Sequence, residues 1–325
     1  MAIEKENFLV DLVDRHRSGD AVGIYSICSA HPQVLRAAMH RARTDDVCLL
    51  IEATCNQVNQ FGGYTGRTPD QFAQEVRRLA HESGFPADRL LLGGDHLGPS
   101  VWQDESAPAA MEKSRELVRS FVAAGFTKIH LDASMSCVGD PVPLPEEIVA
   151  ERSAELCAAA ESVEGCERAY YIVGTEVPVP GGALEELHSL SVTPPEAARC
   201  TIETTRSAFR KIGLEEAWQR VIGLVVQPGF EFGNESIVEY DRDRAQQLSR
   251  AIEQFPGMVY EAHSTDYQRR KALREMVEDH FCILKVGPAL TFAFREAIFA
   301  LAAIEEELCK AYRTLDPSRL RPVVE

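Results

Sequence analysis

Short, apolar, β-rich runs recur eight times along the chain, at 21–27, 47–54, 89–95, 127–132, 170–176, 221–227, 257–263 and 282–287. Most are nearly continuous apolar runs and not clean alternations, as expected of parallel strands covered on both faces. Helical stretches lie between them. The stretch 68–82 opens with Thr68-Pro69-Asp70, a cap residue followed by proline at the first helical position. Its apolar residues Phe72, Val76 and Leu79 are spaced three to four apart. Segments 109–124, 145–163, 194–211, 241–254 and 266–279 read alike, with Pro145, Pro194 and Pro195 at or near helix starts. The Ala-, Leu- and Glu-rich segment 291–312 is the last helix. Strand–helix alternation repeated eight times is the pattern of a (β/α)8 TIM barrel. A doubly wound sheet, the competing α/β arrangement, would place a G-x-G-x-x-G turn after its first strand. Here Cys28-Ser29-Ala30-His31-Pro32 follows instead. No composition break marks a second domain, so the expectation is one barrel over 1–312 and an irregular tail over 313–325 with Pro317 and Pro322.

A length of 325 residues suits such a barrel. Lys and Arg number 34 against 50 Asp and Glu, a formal net charge of −16 with no basic run. That balance repels phosphate backbones and anionic lipid, so neither nucleic acid nor a membrane is expected as partner. No stretch approaches the roughly 20 apolar residues of a membrane helix. The start, Met1-Ala2-Ile3-Glu4-Lys5-Glu6-Asn7, is polar, with no apolar core of a signal peptide behind it. The nine cysteines form no C-x-x-C pair, which argues against a zinc ribbon, a thioredoxin-type site or a disulfide framework. Reduced, mostly buried cysteines in a cytoplasmic protein are the expectation.

The chemistry of a barrel sits at the carboxyl ends of its strands. Here the second strand ends in Glu52, the third in Asp95-His96, the fourth in Asp132 and the fifth in Glu176. The sixth ends in Gln227, the seventh carries Glu261 and His263, and the eighth carries Lys285. Buried charges are costly unless paired or coordinated, so their convergence on one mouth predicts a polar site. The loops behind them, such as 93–99 and 174–182, are rich in Gly and Pro and suit a pre-formed site. We expect Glu52, Asp95, His96, Asp132, Glu176, Gln227, His263 and Lys285 to line one cavity.

Imidazole and carboxylate hold zinc or a similar divalent ion with an open position, and His96, Glu176 and His263 are the candidate ligands. Such a metal polarises a carbonyl and stabilises an enediolate, as reversible carbon–carbon cleavage requires. Asp95, Asp132 and Glu52 are the candidate catalytic carboxylates, with Asp95 placed to move a proton. His31, His40, His81, His188 and His280 read as surface or capping residues and His130 as packing inside the barrel. A phosphate site is expected after the last two strands, where Ser264-Thr265 and Gly287-Pro288 precede helix starts and Lys285 adds charge. Gln227, Ser264, Lys285 and Gly287 are thus the substrate- and phosphate-binding candidates. No G-x-x-x-x-G-K-[ST] occurs, which argues against a P-loop kinase.

GGDHLGP (93–99), KIHLDASMSC (128–137), GTEVPVPGG (174–182), LVVQPGFEFGNESIVEY (224–240), VYEAHSTDYQ (259–268) and ILKVGPALTFAFREAIFALAAIE (283–305) are long, unusual motifs. With CNQVNQFGGYTG (55–66) they closely resemble the D-tagatose-1,6-bisphosphate aldolase accessory, non-catalytic subunit family. That family is itself similar to class II, zinc-dependent ketose-bisphosphate aldolases and has also carried the label tagatose-6-phosphate kinase. The resemblance implies a separate catalytic aldolase subunit whose activity and stability the chain supports, in the breakdown of galactitol and amino-galactose. It matches Asp95 to the proton-transfer Asp, His96 and His263 to metal ligands, and Glu176 to a Glu near the metal. It also implies a longer tail than the residues after 312 provide.

One departure bears on activity. Class II aldolases take a third imidazole from the loop after the sixth strand, whereas this chain has no His between His188 and His263. Gly233-Asn234 stands where the accessory family often has Asp-His, and an amide is a poorer zinc ligand than imidazole. Gln227 and Glu231 are the alternative donors. The leading reading is an accessory subunit, acting with a catalytic aldolase subunit or as a homo-oligomer. The alternative is an autonomous metal-dependent aldolase or epimerase acting on a keto-sugar or sugar phosphate, and a sugar-phosphate kinase ranks last.

Overall fold

The eight apolar runs each form a parallel strand, and their ladder closes on itself. The computed structural model describes residues 8–174, 190–312 and 316–324. The barrel strands are β1 (Ile24–Ile27), β2 (Leu49–Thr54), β3 (Leu90–Leu97), β4 (Lys128–Leu131), β5 (Tyr170–Val173), β6 (Val221–Val225), β9 (Val259–Ala262) and β10 (Phe281–Val286). β7 (Glu231–Phe232) and β8 (Ile237–Val238) form a small antiparallel hairpin in the loop after β6. The barrel order is β1-β10-β9-β6-β5-β4-β3-β2, closed. It is therefore a (β/α)8 barrel, as the alternation predicts.

The helices are α1 (Phe8–Arg17), α2 (Pro32–Asp45), α3 (Pro69–Glu82), α4 (Ala107–Ala123), α5 (Glu146–Glu161), α6 (Pro195–Lys211), α7 (Glu215–Trp218), α8 (Arg242–Ala251), α9 (Arg270–Glu278), α10 (Pro288–Ala311) and α11 (Leu320–Val324). Thr68 caps α3 as its position predicts, in a capping box with Gln71. Helices α1, α2, α7 and α11 and the β7–β8 hairpin go beyond the segments that spacing picks out, and α11 gives a short helix to the tail expected to be irregular. Among the described residues, no helix is long and apolar enough to cross a membrane.

Side chains alternate between the lumen and the helices along each strand. Ile24, Leu50, Leu91, Ile172, Val259 and Ile283 form an apolar layer inside the amino-terminal pole, and Leu9, Leu12 and Val13 of α1 pack onto it. Helix α1 therefore plugs the end of the barrel opposite the cavity. Above the apolar layer the lumen turns charged. Gly93 makes the room, since a Cβ there would stand 2.6 Å from Cγ of Glu52 on the adjoining strand.

The plug is tied down by two histidines. His16 Nδ1 lies 3.0 Å from the Val22 carbonyl, which can only accept, so Nδ1 carries the proton. Its Nε2 then accepts from His280 Nδ1 at 2.9 Å. Burial holds the His16 imidazole below its ordinary range, the Val22 carbonyl partly offsets this, and His280 adds to the lowering. A depressed histidine pKa makes the unfolded chain bind more protons once the pH falls below about 6.5. Stability is expected to be complete above that pH and to fall below it, by up to about 1.4 kcal/mol per pH unit for one proton. Denaturant midpoints at pH 7.5 and 5.5 check this. His16→Gln is expected to reduce the difference, the neutral His263 contributing to the remainder, and an unchanged slope in the variant would count against the assignment.

Candidate metal centre and cavity

A cavity of about 740 Å³ opens at the carboxyl ends of the strands, with Asp95, His96, His263 and Lys285 in its wall. It also takes in Ser264 and Gly287, and Arg67 from the loop between β2 and α3. Three imidazoles gather there. His96, His130 and His263 have ring centroids 4.9 to 5.4 Å apart. One ligand atom each from these three and from Asp95 lie within 4.8 Å of one another. The four groups are buried, and by donor chemistry they suit a divalent metal.

Each imidazole is oriented by a bond from its other nitrogen. His96 Nδ1 donates to Asp132 Oδ2 at 2.6 Å, and the second oxygen of Asp132 accepts from the Ser134 hydroxyl at 2.8 Å. His130 Nε2 donates to the Gly174 carbonyl at 2.9 Å. His263 Nε2 donates to Glu261 Oε1 at 3.0 Å. Outer partners of this kind fix the tautomer of metal-binding histidines and aim the free nitrogen.

Beneath the imidazoles lies a layer of paired charges. Lys128 Nζ is 2.7 Å from Glu52 Oε1 and 2.6 Å from Glu261 Oε2. β4 is hydrogen-bonded to β3 and β5 only, so Lys128 reaches these carboxylates across the lumen. Lys285 Nζ pairs with Asp95, with Glu52 Oε2 at 3.1 Å and with Glu261 Oε1 at 3.5 Å. Two ammonium groups thus share three carboxylates in a water-poor core, so that each buried carboxylate has a cation beside it, as buried charge demands.

The titration of these groups follows. Burial opposes ionisation of Asp95, but the charges of His96 and Lys285 outweigh it and hold its carboxyl well below the usual range. Burial likewise opposes ionisation of Glu261, and Lys128 and Lys285 overcome it. Burial disfavours the Lys285 cation, yet Asp95 and Glu52 raise its pKa well above the ordinary lysine value. His263 is pushed down to about 3, first by burial and then by Lys285, so it is neutral at working pH with a lone pair free.

Several sequence expectations change against this geometry. Glu52 does not reach the cavity, because it is fully buried beneath it in the Lys128–Lys285 pairing. Asp132 stands behind His96 as its hydrogen-bond partner and is not part of the cavity wall. Gln227 turns away from the cavity, its Oε1 accepting from the Gly229 N–H at 2.8 Å. Glu176 lies outside the described residues. His130, read as a packing residue, belongs to the imidazole cluster. The signal for it was the alternation in Lys128-Ile129-His130-Leu131, which sends Lys128 and His130 to one face.

Most of the groups expected to hold phosphate already have partners. Asp266 Oδ1 accepts from the Gly287 N–H at 3.1 Å and the Ala289 N–H at 2.8 Å, so a carboxylate occupies the start of α10. Ser264 stays in the cavity wall, whereas Lys285 is neutralised as described. Asn234 lies exposed in the turn of the β7–β8 hairpin, away from the cavity wall.

Over residues 9–325 the chain matches the model of the D-tagatose-1,6-bisphosphate aldolase subunit GatZ/KbaZ-like family. The chain belongs to this GatZ/KbaZ-like family. It is 58% identical over 301 residues to the D-tagatose-1,6-bisphosphate aldolase subunit GatZ of Klebsiella pneumoniae, covering 92% of this chain and 71% of that protein. The GatZ subunit of Escherichia coli is 58% identical over 300 residues, 91% of this chain and 71% of that one. A solved structure from Sinorhizobium meliloti 1021, described as a probable tagatose 6 phosphate kinase, superposes with a TM-score of 0.81 at 51% identity. That match covers 89% of this chain and 70% of the other. The fructose-bisphosphate aldolase of Campylobacter jejuni superposes with a TM-score of 0.59 at 12% identity over 95% of this chain and 82% of that one. At that identity the likeness concerns the barrel fold alone. The GatZ/KbaZ-like chain therefore carries a (β/α)8 barrel whose mouth holds an imidazole cluster.

Proposed function

We propose that the chain is the accessory, non-catalytic subunit of a class II D-tagatose-1,6-bisphosphate aldolase. In this reading it sustains the activity and stability of a separate catalytic subunit in the cytoplasmic breakdown of tagatose and galactitol sugars. One observation carries the reading beyond family membership: Asp266 fills the α10 N-terminus, where a substrate phosphate would otherwise bind. A second anion there would face that carboxylate at close range. The alternative, an autonomous metal-dependent enzyme acting on a keto-sugar or sugar phosphate, draws on the open cavity beside Asp95, His96 and His263.

The imidazole and carboxylate donors suit a divalent ion, for which zinc is our choice, held by His96 and His263 with Glu176 as a further donor. Such an ion would polarise a carbonyl at the cavity floor. Asp132 and Glu261 hold the two rings in place, and Asp95, kept ionised by Lys285, would accept a proton within the cavity. The purified chain alone is expected to cleave no tagatose 1,6-bisphosphate, and to transfer no phosphate from ATP to tagatose 6-phosphate. Turnover by the isolated chain at an ordinary enzymatic rate, on the order of 1 per second or more, would transfer the assignment to the autonomous reading.

A further inference from the structure

We infer that His130 of β4 supplies the third imidazole of a divalent-metal site, with His96 and His263 as the other two. The proposal rests on the metal assignment above but not on the accessory role. The β6 loop contributes no histidine, since none occurs between His188 and His263. His130 comes from a different strand and reaches the same point. Its Nδ1 lies 3.3 Å from the His96 backbone N–H and 3.0 Å from Asp95 Oδ1, while Nε2 is committed to the Gly174 carbonyl. The carbonyl can only accept, so in the neutral ring Nδ1 is the unprotonated nitrogen, where it accepts from the His96 backbone N–H over a long contact that a metal ion would have to displace. His96 and His263 repeat the arrangement, with Nδ1 of one and Nε2 of the other spent on carboxylates.

In neutral rings the unprotonated nitrogens are Nε2 of His96, Nδ1 of His263 and Nδ1 of His130, the last of which accepts from the His96 N–H. Three separate strands with three separate acceptors present them at one place. A purely structural buried histidine needs only that its own polar atoms be satisfied. Three rings that each bring one ligand atom, with one from Asp95, within 4.8 Å of one another form a nitrogen-rich donor set of the kind that holds zinc. Asp95 remains beside it, paired with Lys285.

The test uses the full purified chain, stripped with chelator and titrated calorimetrically with zinc, with cobalt(II) absorption as a second reading. The wild type is expected to bind one ion. His130→Gln keeps a donor for the Gly174 carbonyl, and should weaken binding by more than about 100-fold, beyond what loss of an outer partner alone costs. His96→Gln and His263→Gln should do the same, and His81→Gln on the exposed face of α3 should change nothing. X-ray absorption of the zinc-loaded wild type, which needs no variant to fold, should count three imidazoles. A His130→Gln chain that binds within about tenfold of wild type, a count of two imidazoles, or a wild type that binds no ion would each overturn the inference. None of these results bears on whether a catalytic subunit is stabilised, so the accessory reading is judged separately.

Discussion

Replacing Lys128 with methionine is expected to destabilise the barrel by about 3–5 kcal/mol, the usual cost of removing one partner from a buried ion pair. Lys128 is fully buried, and its ammonium lies between Glu52 and Glu261 from opposite sides of the lumen. Burial opposes its charge, but Glu261 and Glu52 more than compensate and raise its pKa. Without it, Lys285 alone would face Glu52, Glu261 and Asp95. At least one carboxylate must then either stay charged without a partner or take up a proton. Urea unfolding at neutral pH measures the loss. Adding Glu261→Gln to Lys128→Met should recover part of it, because a buried pair replaced by uncharged groups is often neutral. A single variant that loses less than about 1 kcal/mol, the range of exposed ion pairs, would mean that water reaches this layer.

Alanine at Gly98 is expected to be almost as damaging. Its backbone is extended, with φ −179°, so the difficulty is steric. A Cβ there would stand 1.5 Å from the Asp132 carbonyl oxygen and 2.7 Å from its carbon. The carbonyl cannot retreat freely, because the same residue's N–H is bonded to the Leu97 carbonyl at 3.1 Å. The ends of β3 and β4 would have to part, and Asp132, which orients His96, would move with them. A loss of about 3 kcal/mol or more, the upper end of overpacking costs, should appear in thermal unfolding. A variant with an unchanged melting temperature would show that the two strand ends are looser than described.

The fold was legible because parallel strands buried on both faces leave a periodic record. All eight runs became barrel strands, and Thr68-Pro69 marked the start of α3 to the residue. The site was legible where chemistry sits at a strand end, as with Asp95, His96, His263 and Lys285. It was less so where an inward position lies inside a strand. Reading 127–132 as one apolar run hid the alternation that sends Lys128 and His130 into the lumen. Glu52 looked like a site residue because depth cannot be read from a strand's sequence. One residue pair along a strand, from Glu52 to Thr54, separates the charged layer from the cavity wall. The partners that redefine the phosphate region are long-range. Asp266 acts on Gly287, 21 residues away, and Asp132 on His96, 36 residues away. Neither spacing is a local motif, so only the closed barrel brings them together.

In the reading proposed above, this barrel works by sustaining another subunit. The most direct measurement follows the catalytic tagatose-bisphosphate aldolase subunit, expressed with and without this chain, for aldolase activity and half-life after synthesis is stopped. Both are expected to rise when the chain is present, the two proteins to co-purify, and this chain alone to contribute no turnover. A catalytic subunit whose activity and half-life are the same with and without the chain would contradict it.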